Sequence, residues 1–83
     1  MDSNLGYLRE SLSNHIDNHK ICQSIYHKLE ANQYKNEDEF VRDLDENEAS
    51  ILNLILQYEL EYARNEQDDE RVEQLNGVFE LLI

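Results

Sequence analysis

The sequence predicts an all-α protein, a small bundle or orthogonal array of four to five helices, on three observations. Proline is absent, and the two glycines, Gly6 and Gly77, lie near the ends of the chain. Apolar residues recur at steps of three and four, which is the spacing of one helical face. Acidic and amide residues stand where helices need N-terminal caps. Because 83 residues is a one-domain length, we expect residues 1–83 to form a single acidic helical domain.

A heptad-like stripe of apolar residues, interrupted by two histidines, runs through the N-terminal third of the chain. Its members are Leu5, Leu8, Leu12, His15, His19, Cys22, Tyr26 and Leu29. The short polar side chains of Asp17 and Asn18 compete for backbone hydrogen bonds, which weakens a continuous helix over residues 3–32. The pattern fits one long helix or two shorter helices, and we favour two.

Capping patterns predict the next two helices. Asn36 stands three residues before Glu39, and a short helix should follow. Asp45 stands three residues before Glu48, so the aspartate can accept from backbone N–H groups while the glutamate reaches back to the cap. The helix that begins there is apolar nearly all round over its first turns, which is typical of a central helix surrounded by others.

The last helix is expected after the polar segment 65–69, with Asp68 or Asp69 as its N-cap. One face of this helix is apolar, and apolar residues continue to Ile83 at the end of the sequence. We therefore expect the C-terminal end to be packed rather than loose. The residues of the apolar face are Val72, Leu75, Phe79 and Leu82.

Charge excludes several classes of partner. Seven Lys and Arg residues against nineteen Asp and Glu residues give a net charge of −12. The cations are spread along the chain, so no nucleic-acid interface is predicted. The excess of acid also disfavours an anionic membrane surface, and no apolar run approaches the roughly 20 residues of a membrane span. With one cysteine and no pattern of signal-peptide type, we expect a cytoplasmic protein.

Two groups of residues could hold a metal ion. Asp43, Asp45 and Asn47 begin a calcium-loop pattern, but the positions that need glycine and a closing glutamate hold other residues, so a helix cap is the better interpretation. The second group has the spacing i, i+4 and i+7 and could ligate zinc on one continuous helix. Alternatively, these residues line a helix seam or flank a helix break. No cofactor is predicted. The group consists of His15, His19 and Cys22.

The chain carries no nucleophile motif, phosphate-binding glycine loop or cofactor fingerprint, so we expect no enzyme. Its five tyrosines and two phenylalanines lack interleaved cations and are expected in the core and at its boundary. The acidic surface could occupy a basic site on a partner, as an inhibitor or nucleic-acid mimic does. Alternatively, this surface serves only solubility.

Three segments carry a family resemblance: NLGYLRESLSNH, EFVRDLDENEA and EYARNEQDDERVEQLNGVFELL. Together they resemble the small sigma-G-dependent sporulation-specific proteins of CsgA type, which are grouped with small acid-soluble spore proteins of endospore-forming bacteria. The resemblance covers almost the whole chain and implies expression in the forespore late in sporulation. It implies no catalytic or binding residues. The DNA-coating spore proteins are a different type, whose glycine-rich helical segments and basic surface this chain lacks.

The leading hypothesis is a non-enzymatic, forespore-expressed sporulation protein that acts by protein–protein contact or self-association. Its interface would use the N-terminal stripe or the apolar face of the last helix, formed by Val72, Leu75, Phe79 and Leu82. Two alternatives stand beside it. One is a metal-binding module that uses the His and Cys cluster, and the other is an acidic inhibitor of a basic partner.

Overall fold

Five helices form the part of the chain that the computed structural model describes, residues 3–17 and 19–82. No strand occurs in these two ranges. The prediction of an all-α fold is confirmed. Four to five helices were expected, and the structure has five in these ranges. The helices are α1 (Ser3–Ser13), α2 (Lys20–Ala31), α3 (Glu37–Arg42), α4 (Glu46–Asn65) and α5 (Asp69–Leu82).

The N-terminal stripe divides between two helices, as favoured from the sequence. After α1 ends, the backbone N–H of His15 donates to the Leu12 carbonyl at 2.9 Å and forms a turn. Asn18, one half of the predicted break, lies outside the described residues. The turn redirects the chain, so α1 and α2 pack against each other instead of stacking end to end.

The predicted capping residues begin α3, α4 and α5. The Asn36 side chain accepts from the backbone N–H of Glu39 at 3.0 Å. Asp45 accepts from the backbone N–H of Glu48 at 2.7 Å, and Glu48 accepts in return from the backbone N–H of Asp45 at 3.0 Å, which completes a capping box. Asp68 accepts a backbone N–H from the first turn of α5 at 3.2 Å. Each cap satisfies a backbone donor that the helix itself leaves free.

The core lies where α1, α2, α4 and α5 meet, and α3 adds one aromatic ring. Helix α4 packs against α2 and α5, and α1 packs against α2 and α5. The radius of gyration is 11.6 Å, close to the roughly 12 Å expected of a folded chain of this length. The core residues are Leu5, Leu8, Leu12, Cys22, Ile25, Leu29, Phe40, Leu52, Leu56, Leu60, Leu75 and Val78.

Helix α4 is not the surrounded central helix that its composition predicted. One side is buried, but Leu54, Tyr58 and Tyr62 are exposed to solvent, so the expectation of core or boundary packing is wrong for these two tyrosines. The physical reason is size, because a chain of 83 residues provides too few helices to enclose α4 on every side. Ile83, at the C-terminal end that was expected to pack, lies outside the described residues.

A buried carboxylate joins α2 to the start of α4. The Oε1 atom of Glu48 accepts from Lys28 Nζ at 2.6 Å, and Oε2 accepts from Ser24 Oγ at 2.8 Å. Lys28 Nζ also donates to the Asp43 carbonyl at 2.7 Å. Burial alone would raise the pKa of Glu48, but the hydrogen bonds from Lys28, the Asp45 backbone and Ser24 outweigh it and lower the pKa. The ionised form therefore stabilises the fold.

A left-handed residue ends α4. Gln67 has φ of 57°, a region that favours glycine. The Asp68 N–H donates to the Ala63 carbonyl at 2.9 Å, and the Gln67 N–H donates to the Arg64 carbonyl at 3.1 Å. This pair of bonds is a Schellman motif, which closes the helix and turns the chain directly into α5.

We expect Glu48→Gln to lower the free energy of unfolding at pH 7 by about 1–3 kcal/mol, because Lys28 loses its buried partner charge. A carboxyl with a lowered folded pKa stabilises above its unfolded pKa of about 4.3, and this stability disappears as the pH falls through the folded value. The difference between variant and wild type should therefore shrink below about pH 4. Urea unfolding followed by circular dichroism between pH 7 and pH 3 measures it.

The matched control is Asp38→Asn, which removes an exposed carboxylate that pairs with Arg42 at 3.3 Å. Its expected loss is below about 0.5 kcal/mol. Equal losses in the two variants would contradict the role assigned to Glu48.

We expect Gln67→Gly to raise the free energy of unfolding by about 0.5–1 kcal/mol, because glycine adopts positive φ without steric cost. The same change at Gln57, inside α4, should lower it by about 1 kcal/mol. Thermal unfolding of both variants tests the pair, and a loss at both positions would show that the left-handed conformation is not strained.

Candidate functional site

The three candidate metal ligands are placed apart by the break between α1 and α2. His15 lies in the turn, where its Nε2 is 2.8 Å from Glu59 Oε1. The Nδ1 atom of His19 accepts from the Ile21 N–H at 3.1 Å, so this histidine caps α2. Cys22 is buried in the core. Within residues 3–17 and 19–82, no group of three or more His, Cys, Asp or Glu side chains could hold a metal ion.

The apolar face predicted for partner contact lies mostly inward. Leu75 is fully buried, whereas Val72, Phe79 and Leu82 are half-buried and pack against the core. The edges of two of them reach the surface, because Phe79 and Leu82 each line a shallow cleft beside α4. Partner contact through these four residues stays a prediction, and Leu75 has no exposed surface to contribute to it.

The outer face of α4 carries the largest exposed apolar side chains of the described residues. Leu54, Tyr58 and Tyr62 are 63%, 62% and 55% exposed. They follow one another at intervals of four residues, so they form one stripe about 12 Å long on a single helical face. We call this stripe the α4 face. Isolated exposed apolar residues are ordinary, but a contiguous stripe of this kind marks an interaction surface.

Leu54 and Tyr58 of the α4 face lie in the longest uncharged segment of an otherwise acidic chain, and Tyr62 follows one helical turn after it. Residues 49–58 contain no Asp, Glu, Lys or Arg, whereas the full sequence contains 26 such residues (19 + 7). Exposed acids stand at both ends of the segment, Glu46 before it and Glu61 after it. The face is therefore an apolar stripe with an acidic rim.

A cleft adjoins the α4 face on the side of the turn after α1. It has a volume of about 500 Å³ and is lined by Asn14, His15, Tyr58, Glu59 and Tyr62. The rings of His15 and Tyr58 meet edge to face, with centroids 5.9 Å apart. Glu59 is only 5% exposed, although its residue type is mostly found at the surface. The cleft thus combines two aromatic side chains with a buried carboxylate.

Sequence reasoning missed both the α4 face and Glu59. The signal for the face was present, because an interval of four residues links Leu54, Tyr58 and Tyr62, and the first two lie within the longest uncharged segment. Glu59 was not recognisable, since it is one of nineteen acidic residues. Its burial depends on His15, which lies 44 positions earlier in the chain.

A membrane span needs a helix of about 20 mostly apolar residues. None of the described helices is both long enough and apolar enough to cross a bilayer.

The chain belongs to the CsgA family, which is described as minor curli fiber component A and whose sequence profile matches residues 1–83. It is also 58% identical over its full length to the "Sigma-G-dependent sporulation-specific SASP protein" of Bacillus subtilis strain 168, and the alignment covers the whole of both chains. No solved structure matches. The resemblance seen in the sequence is confirmed, and neither name is that of an enzyme.

We expect Cys22 to resist thiol reagents in the folded chain. The thiol is buried against the Leu12 carbonyl, with Sγ 3.7 Å from the oxygen, and burial raises its pKa, so the reactive thiolate is both scarce and enclosed. Its reaction with Ellman's reagent should be at least about a hundredfold slower than in the urea-unfolded chain.

The control places the only thiol on the surface, as Ser50→Cys in a Cys22→Ser background, because Ser50 is exposed on α4. This variant should react as fast folded as unfolded. Equally fast reaction of the folded wild type would contradict the burial of Cys22.

Proposed function

We propose that this chain is a non-enzymatic, forespore-expressed sporulation protein that acts by binding another protein through the α4 face. The sporulation role is supported by the relative in Bacillus subtilis, which is named as sigma-G-dependent and sporulation-specific. The mode of action is inferred from the surface of the molecule. The observation that carries it is the exposure of Leu54, Tyr58 and Tyr62 on one helical face.

The chemistry of the α4 face suits a protein–protein contact. Tyrosine is enriched at the centres of interfaces, because its ring supplies a large rigid contact area and its hydroxyl can still bind water or a partner. The two tyrosines and Leu54 expose roughly 300–400 Å² together, about the size of the largest patch on an ordinary monomer. The half-buried edges of Phe79 and Leu82, both in α5, add apolar surface to the clefts along one side of α4.

Charge indicates what kind of protein fits. A chain of net charge −12 attracts a basic partner and repels a second copy of itself. The partner that fits therefore has apolar side chains at the centre of its contact and basic residues at the rim, opposite Glu46 and Glu61. This chemistry also accounts for the acidic surface, which steers the partner without itself forming the centre of the contact.

Site-specific photocrosslinking tests the proposed contact. A benzoylphenylalanine in place of Leu54 should crosslink a protein in extracts of sporulating Bacillus subtilis. The same probe in place of Glu30, an exposed residue of α2, should not. The captured protein is then purified, and its binding to the chain is measured by calorimetry.

We expect the double substitution Leu54→Ser and Tyr58→Ser to weaken that binding by about tenfold or more, because it truncates two residues at the centre of the contact. The melting temperature should change little, since both side chains are exposed. Unchanged affinity of the folded double variant would overturn the proposed use of α4.

Sedimentation equilibrium at low and moderate salt tests self-association, the other form of the hypothesis. A monomer at both salt concentrations is expected, because two copies of charge −12 repel each other. A dimer that the double substitution abolishes would instead assign the α4 face to a second copy of the chain.

A further inference from the structure

The cleft beside the α4 face contains a carboxylate with an unused hydrogen-bond acceptor. Oxygen Oε1 of Glu59 lies 2.8 Å from His15 Nε2, whereas Oε2 makes no hydrogen bond within the described residues. No side-chain oxygen in that part of the chain is both sealed from solvent and without a partner. Glu59 lines this cleft although it is only 5% exposed, so Oε2 is the acceptor that the described residues leave for a ligand.

Only one oxygen of this carboxylate is engaged by His15. An ionised carboxylate only accepts hydrogen bonds, so Nε2 of His15 must carry the proton between them. The imidazole donates this one bond to Oε1, which leaves the lone pairs of Oε2 for a donor from outside. A cationic donor forms a stronger hydrogen bond with a carboxylate than a neutral donor does, so this arrangement suits a cation bound from outside.

The neighbouring surface adds more negative charge. A second cleft shares Asn14, Glu59 and Tyr62 with the first and extends to Glu66 and to the Arg71 side of α5. Arg71 is already engaged there, at 3.1 Å from Glu10 and 3.4 Å from Asp68. It does not neutralise Glu59, and a cation that approaches the shared part of the two clefts meets a negative potential.

The aromatic side chains indicate the shape of that cation. Tyr58 and Tyr62 stand one helical turn apart on either side of Glu59 in the sequence, and both line the cleft with it. An aromatic face attracts a flat guanidinium, which can also direct its N–H groups at a carboxylate. A lysine ammonium gains less, because it is a strongly hydrated point charge that cannot stack.

We propose that the cleft formed by His15, Tyr58, Glu59 and Tyr62 binds the guanidinium group of an arginine side chain carried by the partner protein. Glu59 Oε2 accepts hydrogen bonds from the guanidinium, the two tyrosines contact it, and His15 holds the carboxylate in place. This assignment rests on the proposed function, since it names the basic residue that accompanies apolar contact with Leu54. It gives the partner a specific signature, an arginine next to apolar side chains.

The test uses the full chain and a small probe, so it does not require the partner. Acetyl-arginine amide is titrated into the ¹⁵N-labelled protein, and amide and aromatic resonances are followed by NMR. We expect saturable shifts at Asn14, His15, Tyr58, Glu59 and Tyr62, with weak affinity in the millimolar range. Acetyl-lysine amide should bind several-fold more weakly, because its ammonium group cannot stack.

Two variants with the same change in charge separate the cleft from the general acidity of the surface. Glu59→Gln should weaken binding of the arginine probe by about tenfold, whereas Glu61→Gln, at an exposed acid of the same helix, should leave it nearly unchanged. If Glu59→Gln fails to fold, Tyr62→Leu provides the second variant and should weaken binding about threefold. Equal binding of both probes, or equal effects of both glutamine variants, would overturn the proposal.

The outcomes distinguish this inference from the function on which it rests. If the arginine probe binds in the cleft but the double substitution at Leu54 and Tyr58 leaves partner affinity unchanged, the α4 contact is wrong. If the double substitution abolishes partner binding while the probe does not bind, the contact stands and the arginine site is wrong.

Discussion

The hydrogen-bonded carboxylate of Glu48 determines how the rest of the molecule is arranged. It completes the capping box that begins α4, and it binds Lys28 and Ser24 of α2 at 2.6 and 2.8 Å. One side chain thus fixes both where α4 begins and how α4 lies against α2. These contacts hold the N-terminal end of α4 against α2. Burial of Leu52, Leu56 and Leu60 in the core then leaves the other side of the helix as the outward α4 face.

The size of the chain explains why that face is left open. A small domain buries a modest share of its apolar surface, and here α2 and α5 cover one side of α4 while the opposite side has no helix against it within the described residues. In an acidic chain of charge −12, a ten-residue segment without charge is a marked exception (residues 49–58). The open side of α4 and the uncharged segment therefore indicate the same surface. Beside this surface, the buried carboxylate of Glu59 adds the proposed site for a cation.

Local signals in the sequence predicted most of the fold, and contacts between distant residues decided the rest. The caps at Asn36, Asp45 and Asp68 are local, since the side chain and the backbone group it satisfies are three residues apart. The exposed side of α4 was not predictable in this way, because an apolar helix gives the same pattern whether or not a neighbour covers it. The left-handed conformation of Gln67 was not predicted either, because glycine usually marks such a position in a sequence and here the residue is glutamine. Glu59 depends on a histidine from another element, which no spacing rule connects to it.

The packing of the first helix on the last has a consequence for synthesis on the ribosome. Helix α1 packs on α5, and Arg71 of α5 donates to Ser11 and Glu10 of α1 across about 60 positions of sequence. Leu5, Leu8 and Leu12 therefore cannot complete their burial until α5 has left the exit tunnel. The nascent chain carries an uncovered apolar helix until then, so closure of this fold must wait for the synthesis and exit of α5.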